Sequence, residues 1–414
     1  MTKKRVVITG MGVISPVGTR VEPFWKSLVQ GQSGIRPIVQ FDSTGFDSRI
    51  SGDVLNYDPL VYFNSKDARN LSRFIQFAVV AANEAMAQAK LDVRAMPDPS
   101  RVGVVIGSGI GSIYSAEEEY QKLIEKGPGR ISPFFITRMI INEAAGQVSI
   151  NSGAMGPCFA IATACATANN CIGEAMRMIQ HGEVDVMIAG GTESATSRLG
   201  VGGFCALKAL SKHNDEPAKA SRPFDLNRDG FVMAEGAGVV ILESLESAQA
   251  RGVPILAELA GYGRTADAYH ITAPHEEGLG ALKAMEFAIK DAGMTPADID
   301  YINAHGTSTK LNDQIETLAI KKVFGEKAKR VPISSTKSMT GHLLGAAGAI
   351  ELIACMMSIR DNMVHPTINY ETPDPLCDLD YVPNKARPVN VNVALSNSLG
   401  FGGHNATLVV KRFK

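Results

Sequence analysis

The 414-residue chain contains no CxxC pair, no HExxH and no regular cysteine spacing. That removes the usual signs of a zinc site, a redox dithiol or a disulfide framework. Its six cysteines, at 158, 165, 171, 205, 355 and 377, are expected as reduced thiols of a cytoplasmic protein. The formal charge of -1 comes with no long basic run, so nothing draws the whole molecule to nucleic acid, and an acidic partner would need a local basic patch. A membrane span is missing too. The most apolar late stretch, 343–359, carries Glu351 at its middle and is too short and glycine-rich to cross a bilayer, so it reads as a buried helix. Lys3-Lys4-Arg5 before Val6–Ile8 imitates a signal peptide, but Gly10–Ser15 interrupts the apolar run and no small-residue cleavage site follows; a buried first strand is expected.

What is present is material for a large core: 45% hydrophobic and 20% charged residues, enough for two or three average domains. Short β-branched runs at Val6–Thr9, Val102–Ile106, Val184–Ala189 and Val239–Glu243 alternate with helical patterns, which places the chain in the α/β class. After Cys165, Ala168, Ile172, Met176 and Ile179 recur at helical spacing, with His181-Gly182 as the stop. The second half repeats the first. Phe159–Cys165, a helix and Val184–Gly191 have counterparts in Pro332–Lys337, a helix and Val391–Asn397, and Val102–Ser108 corresponds to Ile299–His305. Two α/β halves, 1–250 and 251–414, should meet with their strand ends converging on one site, and 205–235 should pack over it as an insertion.

Three residues suggest what that site does. Cys165 stands between a strand and a helix, where the helix dipole and free amides can lower a thiol pKa to between about 3.5 and 7.5. Cys158 and Cys171 lack that setting and are expected to be packing residues. His305, followed by Gly306, Thr307, Ser308 and Thr309, can face a cavity while Thr307 and Thr309 bond an amide-bearing ligand. His342 follows Lys337 on one loop and precedes the small residues Gly345–Gly348. A thiol with two imidazoles reads as a nucleophile served by histidines.

The segments Val6–Gly12, Thr163–Cys165, Ala304–Thr309, Ser335–His342 and Ser396–Asn405 together resemble the β-ketoacyl-acyl carrier protein synthases of the thiolase superfamily. The resemblance covers nearly the whole chain, and its wording is most similar to the elongating synthases of dissociated fatty-acid synthesis. It implies a thiolase-like fold of duplicated halves in five layers, α-β-α-β-α. It implies acylation of Cys165 from acyl carrier protein, then decarboxylative condensation with malonyl-carrier protein to give 3-oxoacyl-carrier protein, carbon dioxide and free carrier protein. His305 and His342 would hold the malonyl thioester oxygen, and the amides of Cys165 and Phe401 would form an oxyanion hole. Lys337 would orient His342 or its surroundings. Phe401 would gate malonyl entry, and Phe204 and Phe134 would line the acyl pocket, Phe134 or Phe135 reaching it from the partner in a homodimer. No metal or organic cofactor would be required; Asn303, Glu351, Ser396 and Asn397 match a structural monovalent-cation site of some members.

The chain departs from that wording at Ala168, where glycine is frequent, and in its carrier-protein dock, where only Lys66, Arg69 and Lys208 match a basic patch. Rival classes fit less well. A degradative thiolase needs a second cysteine where Phe401 stands, and priming condensing enzymes carry asparagine at the place of His342. A non-catalytic chain-length partner would lack Cys165. A dinucleotide reading of Gly10-x-Gly12 fails on Ser15 and on the missing acid near residue 30. Acyl length, and fatty-acid as opposed to polyketide service, are left open by the sequence.

Overall fold

The computed structural model describes residues 3–414. In the first half β1 (Val6–Ile14), β2 (Val102–Gly107), β3 (Cys158–Phe159), β4 (Val186–Glu193) and β5 (Gly236–Ser244) lie in the order β3-β2-β4-β5-β1. In the second, β6 (Ala257–Ala266), β7 (Tyr301–Asn303), β8 (Ile333–Ser334), β9 (Val393–Gly400) and β10 (His404–Lys411) lie in the order β8-β7-β9-β10-β6. The two orders are the same permutation. The halves are hydrogen-bonded where β1 and β6 run antiparallel, Val6 opposite Leu259 and Ile8 opposite Ala257.

Five helices complete the layers. Helix α1 (Arg73–Gln88) covers the outer face of β1, β4 and β5, while α3 (Leu279–Asp291), with α4 (Lys310–Phe324) beside it, covers β6 and β10. Between the half-sheets lie α2 (Thr167–Gln180) and α5 (Ala347–Asp361), which touch each other and strands of both halves. This is the α-β-α-β-α order expected of the thiolase-like fold. A helix in the middle layer has no solvent face, so α5 is buried all round from Ala347 to Ile359 instead of amphipathic. One apolar cluster joins α2 and α5 to both half-sheets, and two others lie under the outer helices. No helix among the described residues is long and apolar enough to cross a membrane.

The repeat extends to the way each first strand meets its helix. A Cβ on Gly10 would lie 2.0 Å from the Ala85 carbonyl oxygen and one on Gly12 2.0 Å from that of Ala81. In the second half, a Cβ on Gly261 would lie 2.2 Å from the Ala288 oxygen and one on Gly263 2.0 Å from that of Ala284. Gly-x-Gly therefore serves close strand-helix contact in both halves, which explains the misleading glycines near the start of the chain.

Two local expectations are corrected. The strand before Cys165 is confined to Cys158–Phe159, because Ile161–Thr163 leave the sheet to form the turn into α2. Cys158 is exposed, not a packing residue, since β3 is a sheet edge; Cys171 is fully buried.

Candidate active site

Cys165 is presented by a strained turn. Ala164 has φ +48°, a left-handed conformation costly for a residue with a Cβ, and the 3-10 turn Ala164–Ala166 runs directly into α2. The Thr163 amide donates to Thr167 Oγ1 at 2.8 Å, which locks the turn to the helix. Cys165 is 8% exposed, at the floor of a cavity of about 550 Å³.

His305 follows β7, and the amides of His305 and Gly306 each donate at 2.8 Å to the Glu316 carboxylate on α4. His342 leaves a short helical turn, 337–340, through Gly341 at φ +71°. The Cys165 sulfur and a ring nitrogen from each histidine lie within 4.8 Å of one another, and the two rings stand 5.3 Å apart at 82°. Sequence reasoning thus picked three residues that the fold brings together from 165, 305 and 342.

Hydrogen bonds set the imidazole tautomers. Leu344 N–H donates to His342 Nδ1 at 3.2 Å, and Lys337 Nζ donates to His305 Nδ1 at 3.3 Å. With each Nδ1 accepting, each Nε2 carries the proton and is a donor. His342 Nε2 is buried without a partner. Burial, then the positive Lys337, holds both imidazoles well below the usual histidine range, so they stay neutral. Lys337 is itself paired with Glu351. Of the two expectations, that it orients His342 or its surroundings, the contact is with the surroundings, His305, while a backbone amide holds His342 itself.

The expectation of a low thiol pKa is also corrected. Burial pushes the Cys165 thiol up to about 12, against the opposing pull of the Lys337 charge and the Phe401 amide. The residue rests as a thiol, and its proton must leave before the sulfur can attack.

Phe401 follows β9 and is succeeded by Gly402 at φ +82° and Gly403 at φ +74°. Its ring lies 6.4 Å from Phe204, and both line the cavity with Thr307 and Thr309. The two threonine hydroxyls bond each other at 2.9 Å. Phe134 is not brought to this cavity: it is 44% exposed on the surface. Phe204 and Phe231, the latter 5.3 Å from the His342 ring, come from the 198–235 region that packs over the site. Lys208 stands at the rim, while Lys66 and Arg69 are exposed on the 65–70 helix.

A metal on the three central groups would need the imidazole lone pairs that the Nδ1 bonds have already engaged. The monovalent-cation site fares better. Asn303 and Ser396 face each other on adjacent strands, and Asn303 Oδ1, Ser396 Oγ and Glu351 Oε2 are buried oxygens without a partner, suited to a hard cation. Asn397 is already engaged: its Oδ1 accepts from Thr407 Oγ1 at 2.8 Å, and its Nδ2 donates to Glu316 at 3.1 Å. Glu316 escaped the sequence reading, although its buried carboxyl, pushed up to about 7, anchors the His305 turn. A lone glutamate on a helix gives no signal.

Residues 3–248 match the beta-ketoacyl synthase N-terminal domain, and residues 256–371 match the C-terminal domain. The chain belongs to the beta-ketoacyl synthase family. As a beta-ketoacyl synthase it is an acyltransferase of the condensing type. It is 52% identical over 411 residues to the 3-oxoacyl-[acyl-carrier-protein] synthase 2 of Staphylococcus aureus (strain COL), covering 99% of each chain. The protein of the same name from Synechocystis sp. is 50% identical over 414 residues, 100% of this chain and 99% of the other. A solved type II PKS acyl-carrier protein in complex with its ketosynthase contains a chain that superimposes with a TM-score of 0.93 at 39% identity, covering 99% of this chain and 100% of that one. A beta-ketoacyl synthase from Burkholderia phymatum STM815 gives 0.93 at 34% identity, with 99% and 100% covered. The Ala168 departure is absorbed by packing: Ala168 is fully buried, and a Cβ on Gly191 would lie 2.8 Å from its own.

Proposed function

We propose that this synthase elongates fatty acyl chains by condensing acyl- with malonyl-carrier protein, residues 1–250 supplying the thiol and 251–414 the imidazoles. Cys165 gives up its proton and its sulfur attacks the acyl thioester carbonyl; the pantetheine sulfur leaves, takes up a proton to become the free carrier-protein thiol, and the acyl group stays on Cys165. The malonyl group then loses carbon dioxide, and its thioester oxygen takes the enolate charge between the Nε2–H donors of His305 and His342. The enolate carbon attacks the acyl-Cys165 carbonyl, whose oxyanion is received by the amides of Cys165 and Phe401; the oxyanion collapses, the Cys165 sulfur leaves as thiolate, and uptake of one proton restores the thiol. Every electron pair is accounted for by thiol, imidazoles and amides, so the reaction calls for no redox or organic cofactor. A cation would be held by Asn303, Ser396 and Glu351 and would satisfy their unpartnered buried oxygens.

The observation that carries this reading is the pair of buried imidazoles, each with Nδ1 within hydrogen-bonding reach of an N–H donor, beside one buried thiol. The phosphopantetheine arm of an acyl carrier protein would enter past Thr307 and Thr309, with Lys208 at the rim. The names of the Staphylococcus and Synechocystis relatives support that partner. We assign the protein to the cytoplasm, as a homodimer in which exposed Phe134 meets the partner. Mass spectrometry after incubation with acyl-carrier proteins of graded length should show acylation at Cys165, with product formed only when malonyl-carrier protein is added; no acyl adduct at any length would sink the proposal. Sedimentation giving a monomer at micromolar concentration would remove the dimer.

A further inference from the structure

The two halves repeat each other down to the turn that carries Cys165. Ala164 has φ +48° and opens a 3-10 turn into α2; Leu344 has φ +46° and opens a 3-10 turn, Leu344–Ala346, into α5. Gly345 therefore occupies the place of Cys165. Opposite each turn ends an eight-residue strand, β9 at Gly400 and β4 at Glu193. On the catalytic side that strand end carries no side chain: a Cβ on Gly400 would lie 3.1 Å from the Cys165 nitrogen. On the other side it carries a carboxylate.

Glu193 is fully buried. Its Oε2 accepts from the amides of Gly345 at 3.0 Å and Gly109 at 2.8 Å, and its Oε1 from Ser108 Oγ at 2.7 Å and the Ile110 amide at 3.2 Å. Gly345 leaves no slack, since a Cβ there would lie 2.5 Å from the Gly109 nitrogen and 2.8 Å from Glu193 Oε2. The preceding residue, Leu344, donates the amide that sets the tautomer of His342. Gly109, Ile110 and Leu344 line the cavity above Cys165.

We propose that Glu193 is a positioning residue for the malonyl half-reaction: its carboxylate fills the second copy of the oxyanion hole and ties the His342 turn to the Ser108–Ile110 loop, which lines the cavity through Gly109 and Ile110. This rests on the condensing reaction proposed above. With the carboxylate in place, three amides that would otherwise face one another across a dry gap share one acceptor group, and the Leu344 amide is held at His342 Nδ1. Without it, the turn relaxes and Nε2 loses its aim, while Cys165 keeps its own turn through Thr163 and Thr167.

Glu193→Ala separates this role from general support. Carbon dioxide release from malonyl-carrier protein should fall by about 10², the scale of a misplaced catalytic group, while self-acylation of Cys165 holds or rises, since the Glu193 charge is among those that oppose ionisation of the thiol. The vacated hole keeps its amide donors, so formate should restore release by about tenfold and raise the Tm of the variant but not of the wild type. Equal loss of both half-reactions with no response to formate, or wild-type release in the folded variant, would overturn the proposal. If Glu193→Ala does not fold, Glu193→Gln replaces it: the amide fills the space but turns an NH2 toward amide donors, and the same split between half-reactions is expected. The formate Tm shift reads the hole whatever reaction the enzyme performs. A wild type that acylates Cys165 yet releases no carbon dioxide would therefore discredit the condensing reaction, and the Tm shift would still decide for or against Glu193.

Discussion

Cys165 and Gly345 occupy the same step of two copies of one turn, each preceded by a residue held at positive φ and each followed by a middle-layer helix. The first copy faces a strand end without a side chain; the second faces Glu193, whose Oε2 already accepts from the Gly345 amide. One backbone solution thus yields an open hole with a nucleophile and a closed hole without one. The difference lies in single side chains at equivalent positions, so the fold provides the geometry and the residues at the strand ends decide which half does covalent chemistry.

The most complete break of that comparison is Cys165→Ala. It should abolish acylation altogether while the protein remains folded, with malonyl decarboxylation surviving best in Cys165→Gln, because the enolate is held by the imidazoles and not by sulfur. An acyl adduct by mass spectrometry on the alanine variant would reject the assignment.

His305→Ala and His342→Ala test the other half. Each should reduce labelled carbon dioxide release by about 10² or more, the value of a lost oxyanion donor, while Cys165 still accepts acyl groups. Wild-type release from either variant removes that histidine from the site.

Acidity sharpens the contrast between the halves. With the Cys165 thiol pushed up to about 12, self-acylation should slow by about tenfold for each pH unit lowered, since only the thiolate attacks. The imidazoles lie well below the ordinary histidine value of 6.5 and are already neutral above it, so decarboxylation should hold level down to that pH. Parallel profiles for the two half-reactions would mean that the thiol ionises by handing its proton to an imidazole.

The scaffold comparison carries a smaller effect. Gly12→Ala and Gly263→Ala insert the same methyl into matching strand-helix contacts and should each cost about 1–3 kcal/mol by denaturant unfolding, with similar values for both. Strongly unequal costs would show that the halves share topology without sharing packing.

Phe401→Ala gives the subtlest readout. It should raise malonyl decarboxylation by enzyme not yet acylated, as the ring beside Phe204 no longer delays malonyl entry, even while condensation falls. No rise in a folded variant makes Phe401 a packing residue.

The sequence by itself determined the class, the duplication and the three side chains, Cys165, His305 and His342, that the fold gathers at one cavity. Strand and helix periods are local, and Thr163–Cys165, Ala304–Thr309 and Ser335–His342 are contiguous words whose small residues announce tight turns. Tertiary structure decided everything that depends on a partner far along the chain. The thiol pKa rises because residues from distant parts of the chain bury Cys165, an effect that no neighbouring residue reveals. Lys337 meets His305 rather than His342, 32 positions away and not five, because the loop from β8 turns it toward the end of β7. Glu193 reaches Gly345 across 152 residues and Glu316 anchors His305 from the next helix; each is a lone acid in sequence. The glycines of Gly10-x-Gly12 were visible, but their purpose was not, because it lies in the carbonyls of a helix more than sixty residues later. Burial, tautomer and close backbone approach arise from many long-range contacts at once, and only the folded chain brings those contacts together.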